Sequence, residues 1–172
     1  MNTANLIKTR CYESPCGTLI LGATGDRLCL CDWIEKRDRD DVDRRLQRLL
    51  GATFEEGTSE VVEKAMIQLD EYFAGRRREF DMPLLFAGTD LQQAVWNELL
   101  KIPFGTTLSY RDVAQKTGYP RAVRAVANAI GSNAISIFVP CHRVIGSNHS
   151  ITGYRGGIDT KYQLLRLEGT IC

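Results

Sequence analysis

The sequence predicts an α+β chain of two sub-domains, residues 1–85 and 86–172, on three observations. A β-hairpin pattern runs from Gly17 to Trp33, and apolar residues recur at helical spacing over much of the remainder. The segment Phe80–Gly88, punctuated by Pro83 and Gly88, interrupts both patterns and reads as a connector. A length of 172 residues suits one domain or two small ones, and 44% hydrophobic positions suffice for a core.

The elements follow in order. Leu19, Ile20 and Leu21 rise, Thr24-Gly25-Asp26 turns, and Leu28 to Trp33 returns. Val42, Leu46, Leu49 and Leu50 lie at i, i+4, i+7 and i+8, an amphipathic helix closed by Gly51. A second helix spans Glu60 to Ala74, with Val62, Ala65, Met66, Leu69 and Phe73 on one stripe. Gly75 ends it, and Arg76, Arg77 and Arg78 could contact nucleic acid but are expected to complement the helix C-terminus as a solvated cluster. Beyond the connector, Thr89-x-x-Gln92 is a capping box ahead of the stripe Leu91, Val95 and Leu99, which runs to Pro103. Ser109-x-x-Asp112 opens a short helix stopped at Gly118, a partial match to the same box. Pro120 suits the first turn of the next helix, and Gly131 ends it.

Composition excludes disorder, collagen and a disulfide scaffold. No apolar run approaches the roughly 18 residues of a membrane span. Met1–Arg10 lacks the apolar core of a secretory signal, so a soluble cytoplasmic protein is expected, with no membrane partner. A reducing compartment disfavours disulfides. Cys11, Cys16, Cys29 and Cys31 could supply four thiolates to zinc, but C-x4-C is loose and C-x-C on a strand closes no knuckle. They are expected to be small apolar residues in or beside the core, and no metal is expected. The net charge of +1 hides an asymmetry. Residues 1–87 hold 13 Lys+Arg against 16 Asp+Glu, whereas residues 88–172 hold 9 against 5. The C-terminal half is therefore basic enough for moderate, salt-sensitive attraction to nucleic acid.

That half carries two informative stretches. The helices at 109–131, separated by a tight Gly-Tyr-Pro turn, have helix-turn-helix spacing. In the second, Val123, Val126, Ala127 and Ile130 form the apolar face, and Arg121, Arg124 and Asn128 line another. Ala122, Ala125 and Ala129 lie between, leaving a slim exposed surface that could approach a groove closely. A plain surface helix with a solvated basic face fits the same pattern. Next, Ile135–Val139 reads as a short strand delivering Pro140-Cys141-His142-Arg143-Val144 to a loop. A cysteine is nucleophilic as the thiolate, which a neighbouring imidazole or arginine favours. Adjacent side chains point apart, so His142 would reach the sulfur through a water. As a base, His142 needs an orienting carboxylate. Glu168, at the end of the last helix, can turn inward to supply it.

VPCHRVIG, preceded by Gly-Ser-Asn and followed by TGYRGG and LLRLEG, resembles the O6-alkylguanine-DNA alkyltransferase family. The resemblance is strong from Thr89 to Gly169. It is weaker before that, where Tyr12-x-Ser14-Pro15-x-Gly17 and Leu69-x-x-Tyr72-Phe73-x-Gly75 fit. It implies a ribonuclease H-like N-terminal α/β sub-domain and a helical, winged-helix-like helix-turn-helix sub-domain carrying the active cysteine. Cys141 would accept the alkyl group, His142 would act through a bridging water, and Glu168 would orient it. Tyr110 would help rotate the target nucleotide and protonate the departing guanine. Arg124 would fill the gap left by the flipped base, with Arg121, Ala125 and Asn128 on the DNA-facing helix. Asn133 would be the hinge to the active-site strand, and Val144, Tyr154, Arg155 and Gly156 would line the pocket. The implied partner is double-stranded DNA containing O6-alkylguanine, or O4-alkylthymine, bound through the minor groove by a monomer. No cofactor is implied, and each molecule would act once.

Three positions depart from the family pattern. Ala134 stands where proline is usual, Ala127 replaces a glycine, and Arg155 occupies a position that is often small. Arg155 would either narrow the pocket or project to solvent and reach phosphate. Two other functions remain for comparison. A non-enzymatic lesion-binding relative would lack the acceptor cysteine, which is present here. A thiol hydrolase using Cys141, His142 and Glu168 leaves the 109–131 helices unexplained.

Overall fold

The computed structural model describes residues 5–35 and 39–171. The chain forms two compact units, Met1–Gly88 and Thr89–Cys172, dividing three residues beyond the expected boundary. No helix among the described residues is long and apolar enough to cross a membrane.

The first unit is built on a four-stranded sheet of order β3-β2-β1-β4. The expected hairpin is present as β2 (Gly17–Thr24) and β3 (Arg27–Trp33), joined through Gly25 at φ +58°. A further strand, β1 (Asn5–Ser14), pairs antiparallel with β2 and parallel with β4 (Ala52–Glu56). Neither β1 nor β4 was expected, because their polar-rich sequences NLIKTRCYES and ATFEE lack a clean two-residue alternation. Pairing within the sheet outweighs their weak local preference. Gly22 on β2 is tightly packed, since a Cβ there would lie 3.0 Å from both Ile7 and Leu30 and would press them aside.

Helix α1 (Arg39–Leu50) ends at Gly51, φ +57°, and buries Val42 and Leu46. Its Arg39 pairs at 2.9 Å with Asp32, a wholly buried carboxylate of β3. Helix α2 (Glu60–Phe73) packs Val62, Ala65, Leu69 and Tyr72 towards the sheet. The following arginines are not uniformly solvated: Arg77 is half-buried and pairs with Glu71. Cys29 and Cys31 lie in the core, whereas Cys11 is exposed and Cys16 half-buried. The connector contributes a bridge, Leu28 to Leu84, along the β3 edge.

In the second unit, α3 (Asp90–Leu99) starts at the expected Thr89–Gln92 box. Helix α4 (Tyr110–Thr117) starts at Ser109, where Asp112 completes the box that sequence had suggested only in part. Asp112 is short, yet its carboxylate still accepts the Ser109 backbone N–H at 3.0 Å. Strand β5 (Leu108–Ser109) pairs in parallel with β6 (Val144–Ile145).

Helix α5 (Val123–Gly131) begins three residues after Pro120, later than expected. Pro120 instead sits at the second position of a turn closed by the Ala122 N–H to the Tyr119 carbonyl, a place its fixed φ favours. Arg121 therefore precedes the helix rather than extending its basic face. Ala129, expected on the slim exposed surface, is buried, and its carbonyl accepts the Trp96 indole N–H at 2.8 Å. The absence of a bulky side chain at 129 lets α3 approach the α5 backbone. Only Ala125 of the three alanines is exposed.

The Trp96 bond thus seats the second helix of the pair. Trp96→Phe, which keeps a ring but deletes the donor, is expected to lower unfolding stability by about 1–2 kcal/mol. Urea denaturation followed by circular dichroism measures it, and an unchanged midpoint would remove this bond from the helix-seating role.

Candidate active site

The segment after α5 is not the short strand expected over Ile135–Val139. Among these residues only isolated bridging occurs, Ser136 to Val139, and the chain reverses twice. Ile137 adopts φ +74° while the Phe138 N–H bonds the Ser136 carbonyl at 2.9 Å, a γ-turn about a β-branched residue. Pro140, at φ −81° and ψ 63°, makes an inverse γ-turn closed by the Cys141 N–H to the Val139 carbonyl. The apolar run had suggested extension. The turns win because Asn133 is bonded across them: its Oδ1 accepts the Ile135 N–H at 3.0 Å, and its Nδ2 donates to the Val139 carbonyl at 3.0 Å. The same Nδ2 lies 3.3 Å from Cys141 Sγ. Strain of this kind persists only where the surroundings over-determine it.

Cys141 starts a 3-10 turn, Cys141–Arg143, and is 4% exposed. His142 next to it is wholly buried. Its Nε2 lies 2.7 Å from Glu168 Oε2. Glu168 caps α6 (Ile158–Leu167), as the sequence suggested. It also receives two bonds from Arg143, Nε to Oε1 at 2.7 Å and Nη2 to Oε2 at 3.0 Å. A third Arg143 bond reaches the Ile102 carbonyl at 2.7 Å. Burial by itself would raise the Glu168 pKa, but hydrogen bonds and charge from His142 and Arg143 prevail and hold it at about 2. Glu168 is therefore an anion at neutral pH. Burial pushes the imidazole pKa below its usual 6.5, against the opposing pull of Glu168. A neutral ring beside an anion must donate through Nε2, which leaves Nδ1 as the basic nitrogen. That Nδ1 is buried and has no hydrogen-bond partner among the described residues.

Cys141 opens onto a cleft of about 420 Å³. Its walls are Tyr110, then Ala127, Asn128, Ile130 and Gly131 from α5, and Thr152 to Arg155 from the loop before α6. The cleft has the volume of a small-ligand pocket and a thiol in its wall. Tyr110 is the first residue of α4, placed by the β5–β6 pair, and its hydroxyl donates to the Thr152 carbonyl at 3.4 Å. Burial raises its pKa, so it remains a proton donor at neutral pH.

The expected wall residues divide. Tyr154 and Arg155 line the cleft. Arg155 is buried and reaches the Gly131 carbonyl at 3.5 Å rather than projecting to solvent. Val144 is not in the wall, because its pairing with Leu108 turns the side chain inward and leaves it with no exposure. Gly156 lies past the wall in the turn closed by Gly157 N–H to the Tyr154 carbonyl. Arg124, Ala125 and Asn128 are exposed on α5, and Arg121 is exposed just before it.

Two participants escaped sequence reasoning, Arg143 as a partner of Glu168 and Lys161. The signal for Lys161 was available, since it shares the α6 stripe with Leu164, Leu165 and Glu168 at i, i+3, i+4 and i+7. Among the described residues no group of three His, Cys, Asp or Glu side chains could hold a metal ion.

Residues 90–170 match the profile of the 6-O-methylguanine DNA methyltransferase DNA binding domain, and residues 7–86 that of its ribonuclease-like domain. The methylated-DNA–protein-cysteine methyltransferase of Methanosarcina acetivorans is 39% identical over 160 residues, covering 92% of this chain and 96% of that relative. The inducible protein of the same name from Bacillus subtilis is 51% identical over 107 residues, 62% of this chain and 60% of the relative. The crystal structure of the Mycobacterium tuberculosis O6-methylguanine methyltransferase superposes with a TM-score of 0.80 at 42% identity, covering 94% of this chain and 92% of that one. The same mycobacterial protein in complex with DNA gives 0.79 over 95% and 92%. With a ribonuclease-like sheet unit, a helical DNA-binding unit and near full-length relatives of one name, the chain belongs to the 6-O-methylguanine DNA methyltransferase family.

Proposed function

We propose that this protein repairs DNA by moving the alkyl group of O6-alkylguanine, or O4-alkylthymine, directly and irreversibly to Cys141. The observation that carries the reading is the cysteine in the wall of a base-sized cleft, next to a buried, neutral imidazole whose Nδ1 has no hydrogen-bond partner among the described residues. His142 Nδ1 takes the thiol proton through a bridging water, and Glu168 stabilises the imidazolium that results. The Asn133 amide supports the sulfur as charge develops. The thiolate attacks the alkyl carbon in line. The S–C bond forms as the C–O6 bond breaks, and the electron pair leaves with the purine. Tyr110 gives its proton to the departing guanine and recovers one from solvent. The product is a thioether with no group to hydrolyse it, so each molecule turns over once and needs no cofactor.

An O6 lesion lies within the base stack, so reaction requires the nucleotide to be turned out of the duplex. Arg124 stands exposed on a helix with Ala125 and Asn128 beside it, a narrow surface suited to the minor groove with one long cation to occupy the gap. Arg121, in the preceding turn, is free to meet backbone phosphate. The protein acts as a monomer in the cytoplasm on double-stranded DNA.

Incubation with duplex DNA containing O6-methylguanine is expected to add one methyl group per molecule, mapped to Cys141 by peptide mass spectrometry, with no second turnover. Tight DNA binding without an adduct would instead indicate a lesion-binding protein, and repeated turnover a hydrolase. Arg124→Ala is expected to slow repair of the duplex by about tenfold or more while changing reaction with free O6-benzylguanine little, since only the duplex needs the gap filled. Equal losses on the two substrates would contradict the wedge role.

A further inference from the structure

Lys161 has no solvent exposure, and an ammonium is among the costliest groups to bury. It faces no carboxylate within ion-pair distance among the described pairs. Its Nζ donates instead to three carbonyl oxygens, those of Val144 at 2.6 Å, Thr152 at 2.8 Å and Gly153 at 3.3 Å. Those carbonyls come from two separate segments. Val144 leaves the cysteine turn, whereas Thr152 and Gly153 form the wall of the cleft. The Thr152 carbonyl also accepts the Tyr110 hydroxyl.

We propose that Lys161 is a positioning residue for alkyl transfer, tying the Thr152–Arg155 wall and Tyr110 to the exit of the cysteine turn and so setting the width of the base pocket. The inference rests on the alkyl-transfer reading. An ammonium has three N–H donors, one for each carbonyl. A neutral amine has two donors and a lone pair, so it must release one carbonyl. A methionine of similar length releases all three. The loop that Lys161 holds contains Gly153 and Gly157, both at positive φ, and among its described bonds few others tie Thr152 and Gly153 to the rest of the unit.

The titratable groups facing the ammonium are Cys141, His142 and Tyr110, whose ring centre lies 5.9 Å from Nζ. Burial lowers the Lys161 pKa to about 8, while Cys141 pulls it upward. The cation is thus present at neutral pH and is lost as the pH rises past that value.

The test is the rate of Cys141 alkylation by free O6-benzylguanine as a function of its concentration, for wild type, Lys161→Met and Lys161→Arg. A widened pocket raises the half-saturating concentration about tenfold in Lys161→Met while the saturated rate falls by much less, and Lys161→Arg, which keeps charge and donors, recovers part of the loss. In the wild type the half-saturating concentration rises between pH 7 and pH 9, a measurement that stands even if Lys161→Met fails to fold. An unchanged half-saturating concentration in a Lys161→Met protein that melts like wild type overturns the proposal, as does a flat wild-type profile. A wild type that forms no adduct overturns the alkyl-transfer reading itself.

Discussion

The buried carboxylate of Glu168 is the point on which the second unit depends. It accepts from His142 and twice from Arg143, and these three side chains have almost no contact with solvent. Breaking such a pair from one side leaves an uncompensated buried charge, at a cost of about 3–5 kcal/mol. The depressed pKa of about 2 says the same thing through protonation: stability contributed by the ionised form is present above the ordinary carboxylate range and lost as pH falls towards 2. One group therefore secures the last helix to the cysteine turn and selects the imidazole tautomer. Structural and chemical roles coincide because both need an anion in the same place.

Around this anchor, short-range devices set each reacting group. Pro140 and the Ile137 turn present Cys141, and Asn133 spans them with both ends of its amide. The β5–β6 pair brings the start of α4, and hence Tyr110, alongside the segment that leaves the cysteine. Trp96 seats α5, which supplies both the opposite wall of the cleft and the exposed Arg124. A scaffold of capped helices thus carries a strained, hydrogen-bonded turn, the division of labour expected of a site that must hold a nucleophile in one orientation.

Much of this was legible in the sequence, and the failures have particular causes. Helical periods, the Thr89–Gln92 box and the helix-ending glycines are local signals, and the elements they announced are present. Strands β1 and β4 were missed because their side chains alternate poorly and only pairing makes them strands. The Ile135–Val139 run is apolar enough for a strand, and nothing local reveals that Asn133 folds it into turns. Pro120 could serve a helix or a turn equally well, which cost three residues of α5 and the place of Arg121. Cys141, His142 and Glu168 form a set legible in the sequence, whereas the pairing of Arg143 with Glu168 and the burial of Lys161 are not. Buried cations are rare enough that a basic residue beside an apolar stripe is readily assigned to the surface.

The central claim is that a neutral His142, fixed by an anionic Glu168, is the base that generates the Cys141 thiolate. The most direct measurement is the single-turnover rate of methyl transfer from O6-methylguanine DNA between pH 5 and pH 8, at DNA concentrations that saturate binding. A base whose pKa lies below 6.5 predicts a rate constant that is level through neutrality and falls tenfold per pH unit only below that pKa. A rate that rises on acidification, or one that already falls tenfold per pH unit from above pH 6.5 with the fold intact, would contradict it.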